Sequence, residues 1–446
     1  MSGIIILIIL EMLELGFILW DFRRKSNSRR EKAVTRVTLF ALFLLMVISP
    51  VINWGFAWYG LGFLLLIQAV FGVIAIARGK KAADRRRSRI ILSGIGRCLL
   101  IGVAVFPAVL FPPADVLLPT GSYSVGTAVY TWADDTRDEA FTAEKDHRRV
   151  TVQFFYPTRE DTTAGMAVEG ADIAADGNYP LLIFSHGAFG YRRSNYSAYM
   201  ELASHGYIVC SIDHTYHAFF TKEEDGNIIP VNLGFLKEVQ QLEDNKFSLE
   251  EGFCLEQKWL KLRTEDLKFV LNRIKTTAKE DSNGLFQGID LEHIGAFGHS
   301  LGGAAAAQAG RELEDIDAVM VLDGTMLGEV TGVEDGRQTF IDTPYPKPIL
   351  NFYNESHYKI NMLGSFPYAN KVASEHAADS YQVVIRGSGH LNFTDLPMFS
   401  PILAGMLGTG EVDARTCILE INETVLEFFD HYLKGVGGEI PRERTF

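Results

Sequence analysis

Cysteine is scarce in this sequence, and its four positions form no recognisable pattern. Cys98 falls in a long apolar run, Cys210 in a short apolar segment, and Cys254 and Cys417 stand alone. No C-x-x-C pair occurs, so the spacing predicts neither a disulfide framework nor a cysteine-based metal site. An oxidising exterior would permit a single disulfide, but nothing in the sequence demands one.

Basic residues are also scarce after the first quarter of the chain. The net charge is −13, yet residues 1–111 hold 15 of the 42 lysines and arginines and only 5 of the 55 acidic residues. The remaining residues are therefore strongly acidic. An acidic surface repels phosphate backbones, which argues against a nucleic-acid partner.

Long apolar runs are confined to the first 111 residues. Four candidate membrane spans occur there, at residues 4–20, 37–51, 56–77 and 90–111. The first two are near the lower length limit for crossing a bilayer. Pro50, Asn53 and Gly55 favour a turn over one continuous helix between the second and third spans.

Two basic connections set the expected orientation of these spans. Residues 21–36 and 78–89 each carry seven lysines and arginines, whereas the turn near Asn53 is uncharged. The positive-inside rule places both basic connections in the cytoplasm. The sequence therefore predicts a multi-pass protein of the cell membrane whose domain after the fourth span is extracytoplasmic. Glu11 and Glu14 share a helical face in the first span, and packing near Arg97 is their expected role.

The stretch HIGAFGHSLGG at residues 293–303 organises the rest of the chain. It contains a G-x-S-x-G pattern centred on Ser300, between an apolar run and an alanine-rich segment. In α/β-hydrolases this pattern forms a strained turn from strand to helix that exposes the serine hydroxyl. Gly298 and Gly302 have no Cβ, so strand and helix can approach closely there. Ser300 is therefore the candidate nucleophile.

Apolar segments alternate with helical patterns through the second part of the chain. Strands are predicted at residues 148–157, 179–185, 207–212, 318–322, 348–353 and 381–385, those at 179–185 and 318–322 being buried, and helices at 195–205, 258–274 and 417–432. This alternation predicts an α/β-hydrolase fold with a mostly parallel sheet and helices on both faces. Residues 112–126 are the expected linker, and 127–446 the domain. Residues 218–256 fit the alternation poorly and are read as a lid or a surface excursion.

Acyl transfer by a serine requires a base and an acid that orients the base. In this fold the acid and then the histidine follow the serine in the chain. Asp323 and His390 each come directly after a predicted strand, at the sheet edge where such folds place their ligands. The backbone N–H groups of Ala188 and Leu301 are the expected donors to the oxyanion.

Other histidines and aspartates remain open as alternatives. His186, His214, His217 and His357 also lie near strand ends, but of the rival histidines only His357 and His376 follow Asp323 in the chain. His376 is expected on a helix, and His357 follows a strand one position too early. The rival acids are Asp315, Asp317 and Asp342, which precede a strand or lie in a loop.

Several segments together resemble one known family. They are YPLLIFSHGAFG, ELASHGYIVCSIDH, GHSLGG, VLDGTM and IRGSGHLNFTD. About residues 119–435 are similar to the platelet-activating-factor acetylhydrolases and their bacterial relatives. The resemblance implies a triad of Ser300, Asp323 and His390, and oxyanion donors at Ala188 and Leu301. The chain departs from the family at Ala188, where a larger apolar residue is common, and in residues 218–256.

The sequence therefore predicts a membrane-tethered serine esterase that needs no metal and no organic cofactor. The resemblance implies short acyl chains on phospholipid-like alcohols as the substrate. The alternatives are a broad-specificity carboxylesterase or polyester hydrolase, and a non-catalytic binding module on a hydrolase fold. A transport role for the spans is a further alternative, although few polar residues are available to line a path. The sequence names no protein partner.

Overall fold

The computed structural model describes residues 3–79, 83–84, 86–113, 116–144, 146–161, 165–280 and 284–446. Its contacts divide the chain into two compact units. The first unit comprises residues 1–115 and 398–404, and the second comprises residues 116–397 and 405–446. Each unit is described below by itself.

Four helices make up most of the first unit. They are α1 (Gly3–Arg24), α2 (Arg29–Ile48), α3 (Phe56–Ala77) and α4 (Arg87–Leu110), and two-residue strands β1 (Ser26–Asn27) and β2 (Ala83–Asp84) pair between them. Each helix overlaps one of the four predicted spans. Among the described residues, α1, α3 and α4 are long and apolar enough to cross a membrane.

The second helix differs from the other three because its first two turns are charged. It begins at Arg29, eight residues before the predicted span, and so includes Glu31, Lys32 and Arg36. Because of these charges, α2 is not among the described helices that are long and apolar enough to cross a membrane. Its apolar part starts at Val37, as the sequence indicates.

An ion pair joins α1 to α4. Arg97 Nε on α4 lies 2.7 Å from Glu14 Oε2 on α1. The expected packing of Glu14 near Arg97 is therefore present in the structure. Pairing lowers the cost of placing either charge among apolar helices, because each group keeps a hydrogen-bonded partner.

The second unit is built on a sheet of ten strands. The sheet strands in chain order are β3 (Ser124–Asp138), β4 (His147–Thr158), β5 (Val168–Glu169), β6 (Tyr179–Ser185), β7 (Ile208–Asp213), β10 (Ile289–His299), β11 (Ala318–Leu322), β14 (Ile349–Asn354), β15 (Ser380–Ile385) and β16 (Glu443–Thr445). Two small hairpins lie outside it, formed by β8 (Phe220–Lys222) with β9 (Ile228–Pro230) and by β12 (Val330–Glu334) with β13 (Arg337–Phe340).

The order across the sheet is β16-β15-β14-β11-β10-β6-β7-β4-β3-β5. Only β4 runs antiparallel to its neighbours, so the sheet is mostly parallel, as predicted. The central strands β6 and β11 are buried along their whole length and have the predicted boundaries. Continuous apolar runs such as these are typical of parallel strands covered on both faces.

Helices cover both faces of this sheet. The helices of the second unit in chain order are α5 (Tyr196–Ser204), α6 (Leu233–Glu243), α7 (Leu249–Glu280), α8 (Leu301–Glu312), α9 (Glu355–His357), α10 (Ala369–His376) and α13 (Ala414–Phe429). Short helices α11 (Leu396–Phe399) and α12 (Pro401–Met406) span the sequence boundaries at which the chain passes from one unit to the other. Apolar residues of α7, α8 and α10 form one core with the sheet, and those of α5 and α13 form a second core.

Two segments differ from the sequence expectation, and the role of a third is untested. The strand β3 begins at Ser124, inside the segment predicted as a linker, and was not predicted because its polar residues do not alternate clearly. The helix predicted at 258–274 extends from Leu249 to Glu280, since its polar first turns lack apolar spacing. The segment 218–256 holds the first hairpin, α6 and the start of α7, and its role as a lid stays a prediction.

Candidate active site

Ser300 occupies a strained turn between β10 and α8. Its φ is +55°, in the left-handed region that residues with a Cβ rarely adopt. A Cβ at Gly302 would lie 2.0 Å from Ser185 O, so only glycine fits where the helix passes β6. Ser300 N donates to Leu322 O at 3.0 Å, which ties the turn to the end of β11. Strain of this kind typically costs about 1–3 kcal/mol and persists only where the surroundings enforce it.

Asp323 follows β11 directly and is buried. Its carboxylate accepts four hydrogen bonds: from Asn354 N (2.8 Å), Asn354 Nδ2 (2.7 Å), His357 Nδ1 (2.9 Å) and His390 Nδ1 (2.7 Å). Burial alone would raise the pKa of Asp323, but the hydrogen bonds from the two imidazoles outweigh it and hold the pKa well below its usual value. Asp323 is therefore an ionised acceptor that can orient an imidazole.

His390 stands in a short turn after β15, at the same edge of the sheet. Its Nδ1 bonds Asp323 Oδ2, and its side chain is 45% exposed. Its backbone oxygen lies 3.0 Å from His299 Nε2, and the two imidazole centroids are 4.6 Å apart. Because His299 directly precedes Ser300, this contact places His390 beside the serine turn. Burial, with a smaller contribution from His390, lowers the pKa of His299 to about 3, so His299 is neutral.

The hydroxyl of Ser300 and the Nε2 atom of His390 are both available to form hydrogen bonds with a substrate or with each other. Among the described residues, neither Ser300 Oγ nor His390 Nε2 has a hydrogen-bond partner. Such bonds in unliganded hydrolases are often long and tighten only when substrate is bound. The structure therefore brings the three predicted residues to one sheet edge, with the Asp323–His390 bond formed.

Two backbone N–H groups flank Ser300 without a partner in the described part of the chain. They belong to Ala188, in the loop after β6, and Leu301, the first residue of α8. The loop lies against the serine, since a Cβ at Gly187 would be 3.2 Å from Ser300 Cβ. Unpaired N–H groups are costly unless a ligand or water satisfies them, so this pair suits a developing negative charge.

His357, which the sequence left open as a rival base, is the second imidazole on Asp323. Its Nδ1 faces Asp323 Oδ1, and its Nε2 lies 2.6 Å from Tyr368 Oη. Tyr368 in turn contacts Thr325 Oγ1 at 2.9 Å. Both ring nitrogens of His357 are engaged, and its side chain is 13% exposed. His357 is therefore less available than His390 to accept a proton from a serine.

The remaining alternatives lie away from Ser300 or serve other contacts. His186 bonds Gly187 O, His214 bonds Ser185 Oγ and Asp266, and His217 stacks on Phe235. Asp317 accepts from Ile294 N, Asp315 pairs with Lys275, Asp342 lies in a loop, and His376 ends α10. Within the described residues, Asp323 alone of these acids bonds a histidine near the serine turn.

The strand–turn–helix at Ser300, set in a mostly parallel sheet covered by helices on both faces, defines an α/β-hydrolase. A solved structure described as a ferulic acid esterase from Streptomyces cinnamoneus superposes with a TM-score of 0.56 at 23% identity. The alignment covers 74% of this chain and 96% of that one, and shows a shared fold.

Sequence comparison identifies the family within the α/β-hydrolases. Residues 162–436 match the family profile of platelet-activating factor acetylhydrolase, isoform II, and the chain belongs to that family. Platelet-activating factor acetylhydrolases of Canis lupus familiaris and Bos taurus are 29% and 27% identical over 57% and 60% of this chain. The matches also span only 57% and 60% of those relatives. The resemblance inferred from the motifs is thereby confirmed.

Proposed function

We propose that the chain is a membrane-anchored serine hydrolase that cleaves carboxylic esters through an acyl-enzyme. The observation that carries the proposal is the Asp323–His390 hydrogen bond of 2.7 Å at the edge of the sheet where the half-buried Ser300 lies. Membership of the acetylhydrolase family and the unpaired N–H groups of Ala188 and Leu301 support it.

In the proposed reaction Ser300 Oγ attacks the ester carbonyl while His390 Nε2 takes the hydroxyl proton. Asp323 holds the imidazole by Nδ1 and stabilises the imidazolium. The carbonyl oxygen becomes negative and accepts hydrogen bonds from Ala188 N and Leu301 N. His390 then gives the proton to the leaving alkoxide. Water attacks the acyl-enzyme by the same steps, and the carboxylic acid departs as Ser300 regains its proton.

The proposed substrates are phospholipid-like esters with short acyl chains. The relatives are named platelet-activating factor acetylhydrolases, and three helices of this chain are long and apolar enough to hold it at a membrane. Hydrolysis should be measured on glycerophospholipids with sn-2 acyl chains of two to twelve carbons, using full-length protein in nanodiscs. We expect a maximum at the shortest chains. A maximum at eight or more carbons would contradict this assignment.

A broad-specificity carboxylesterase is the second candidate. The side chain of His390 is 45% exposed, which leaves the proposed base accessible to alcohols of different shapes. Aryl and alkyl acetates without a phosphate group distinguish the two candidates. Equal kcat/KM for these esters and for acetylated phospholipids would favour the second.

The proposed topology has four crossings and an extracytoplasmic hydrolase unit. α2 packs along α3 over much of its length: a Cβ at Gly72 would lie 2.8 Å from Ala33 O, and one at Gly62 3.3 Å from Phe43. A helix aligned in this way with a spanning helix can itself cross, with the cations of its first turns reaching the interface. If α2 did not cross, residues 21–36 and 78–89 would lie on opposite sides, against the positive-inside rule.

Protease protection tests this orientation. External protease added to intact cells should digest the hydrolase unit and leave α1 to α4 protected. Full protection of the hydrolase unit in intact cells, with digestion after lysis, would place it in the cytoplasm.

A further inference from the structure

An arginine on α7 lies beneath the loop that carries Ala188. Arg263 is completely buried. Its Nη1 donates to His186 O, its Nη2 lies 3.4 Å from Gly187 O, and its Nε lies 3.4 Å from His217 Nδ1. The guanidinium therefore reaches two successive carbonyls of the loop after β6.

The geometry of a peptide unit links these carbonyls to the proposed oxyanion donor. In a trans peptide the C=O and the following N–H point in opposite directions in one plane. Gly187 O points to Arg263 and also accepts from His186 Nδ1 (2.7 Å) and Gly190 N (3.1 Å). With that oxygen held on one side, Ala188 N–H is directed to the other, where it has no partner in the described part of the chain.

No carboxylate among the described residues forms an ion pair with Arg263. The nearby Asp266 is occupied by Arg148 (2.7 Å), Arg137 (2.9 Å) and His214 (3.0 Å). Burial lowers the pKa of Arg263 to about 9, and Arg263 stays protonated at neutral pH. His186 and His217 are neutral, because burial lowers the pKa of each. The positive charge is therefore directed to backbone carbonyls, and it strengthens the Ala188 dipole on the far side of the same peptide.

We propose that Arg263 is a positioning residue for the oxyanion hole, which fixes the Gly187–Ala188 peptide and polarises its N–H toward the developing charge. This inference rests on the proposed function, because it takes Ala188 as an oxyanion donor. An interaction of this kind acts on the tetrahedral state and little on the bound ester, so its loss should lower kcat more than it changes KM.

The test uses the full chain in nanodiscs with the variants Arg263→Met and Arg263→Lys. Arg311→Met is the matched control, since Arg311 is another largely buried arginine but its guanidinium bonds Glu329, far along α8 from Ser300. Ester hydrolysis gives kcat and KM. A trifluoromethyl ketone that forms a hemiketal with Ser300 reports the oxyanion itself, through the pH titration of its ¹⁹F resonance.

For Arg263→Met we expect kcat to fall about 100-fold, in line with the loss of one oxyanion donor, while KM stays within about threefold of the wild-type value. The pKa of the hemiketal should rise by at least about one unit. Arg263→Lys keeps the charge but cannot hold both carbonyls, so it should recover about tenfold of the lost kcat. Arg311→Met should lower thermal stability and leave the hemiketal pKa unchanged.

A hemiketal pKa in Arg263→Met equal to that of the wild type, or a kcat within threefold of it, would overturn the inference. If the methionine variant does not fold, the lysine variant decides: a tenfold loss of kcat with unchanged KM supports the inference, and a kcat within threefold of the wild type overturns it. If the wild type forms no hemiketal with Ser300, the proposed function itself fails.

Discussion

The two imidazoles on Asp323 lead to opposite predictions for two conservative variants. His390→Asn keeps an N–H near the position of Nδ1, so the bond to Asp323 can be retained, but it removes Nε2, the proposed proton acceptor. His357→Gln keeps a polar group near Tyr368 and removes the N–H that bonds Asp323 Oδ1. We expect His390→Asn to abolish activity and His357→Gln to reduce it only slightly.

The expected magnitudes come from the contacts of Asp323. Loss of the general base in a serine hydrolase costs on the order of 10⁴–10⁶ in kcat. Without His357 the carboxylate still accepts three of its four hydrogen bonds, including the one from His390. A hydrogen bond to a charged group contributes about 1.5–3 kcal/mol to stability, so His357→Gln should lower the melting temperature by about 3–8 °C and kcat by no more than about tenfold.

The assay combines steady-state hydrolysis of a short-chain ester with thermal unfolding of each variant in nanodiscs. His390→Asn should melt near the wild-type temperature and show no activity above background. If His357→Gln were inactive and His390→Asn retained a tenth or more of the wild-type kcat, His357 would be the base. The assignment of His390 would then be wrong.

Two further predictions concern stability. Burial raises the pKa of Glu256 to about 7 from an ordinary value of 4.5, so the free energy of unfolding falls as pH rises from about 4.5 to 7. In denaturant titrations Glu256→Gln should leave the free energy of unfolding unchanged at pH 4 and raise it by up to about 3 kcal/mol at pH 8. An equal effect at both pH values would contradict the burial argument. Gly302→Ala should abolish activity and lower the melting temperature, because its Cβ would lie 2.0 Å from Ser185 O; a fully active alanine variant would show that the turn can relax.

The parts of the fold that the sequence predicts well are those with a single strong signal. β6, β11 and α3 have the expected boundaries because each is a continuous apolar run that must be buried or lie in lipid. β3 lacks such a signal: only part of the strand is buried, and its acidic residues interrupt the alternation. Only the apolar part of α2 could be predicted, since the charged first turns that precede it lack an apolar signal.

The candidate site likewise has residues that the sequence predicts and contacts that it does not. The common position of Ser300, Asp323 and His390 at one sheet edge is predictable because each follows a strand that can itself be predicted. The contact of His357 with Asp323 depends on the path of the chain after β14, which no local pattern specifies. Arg263 carries a sequence signal, because it falls on the same helical face as the buried Leu260, Leu267 and Val270. A charged residue on a buried face points to a specific buried partner.

The most direct test of the account is covalent labelling of Ser300. The full chain, purified in nanodiscs, is treated with a fluorophosphonate, and the modified residue is located by peptide mass spectrometry. We expect one label per chain on Ser300, no label in Ser300→Ala, and slow labelling in His390→Asn because the base is missing. A folded wild-type protein that takes no label, or takes it at another residue, would contradict the assignment of Ser300 as an activated nucleophile.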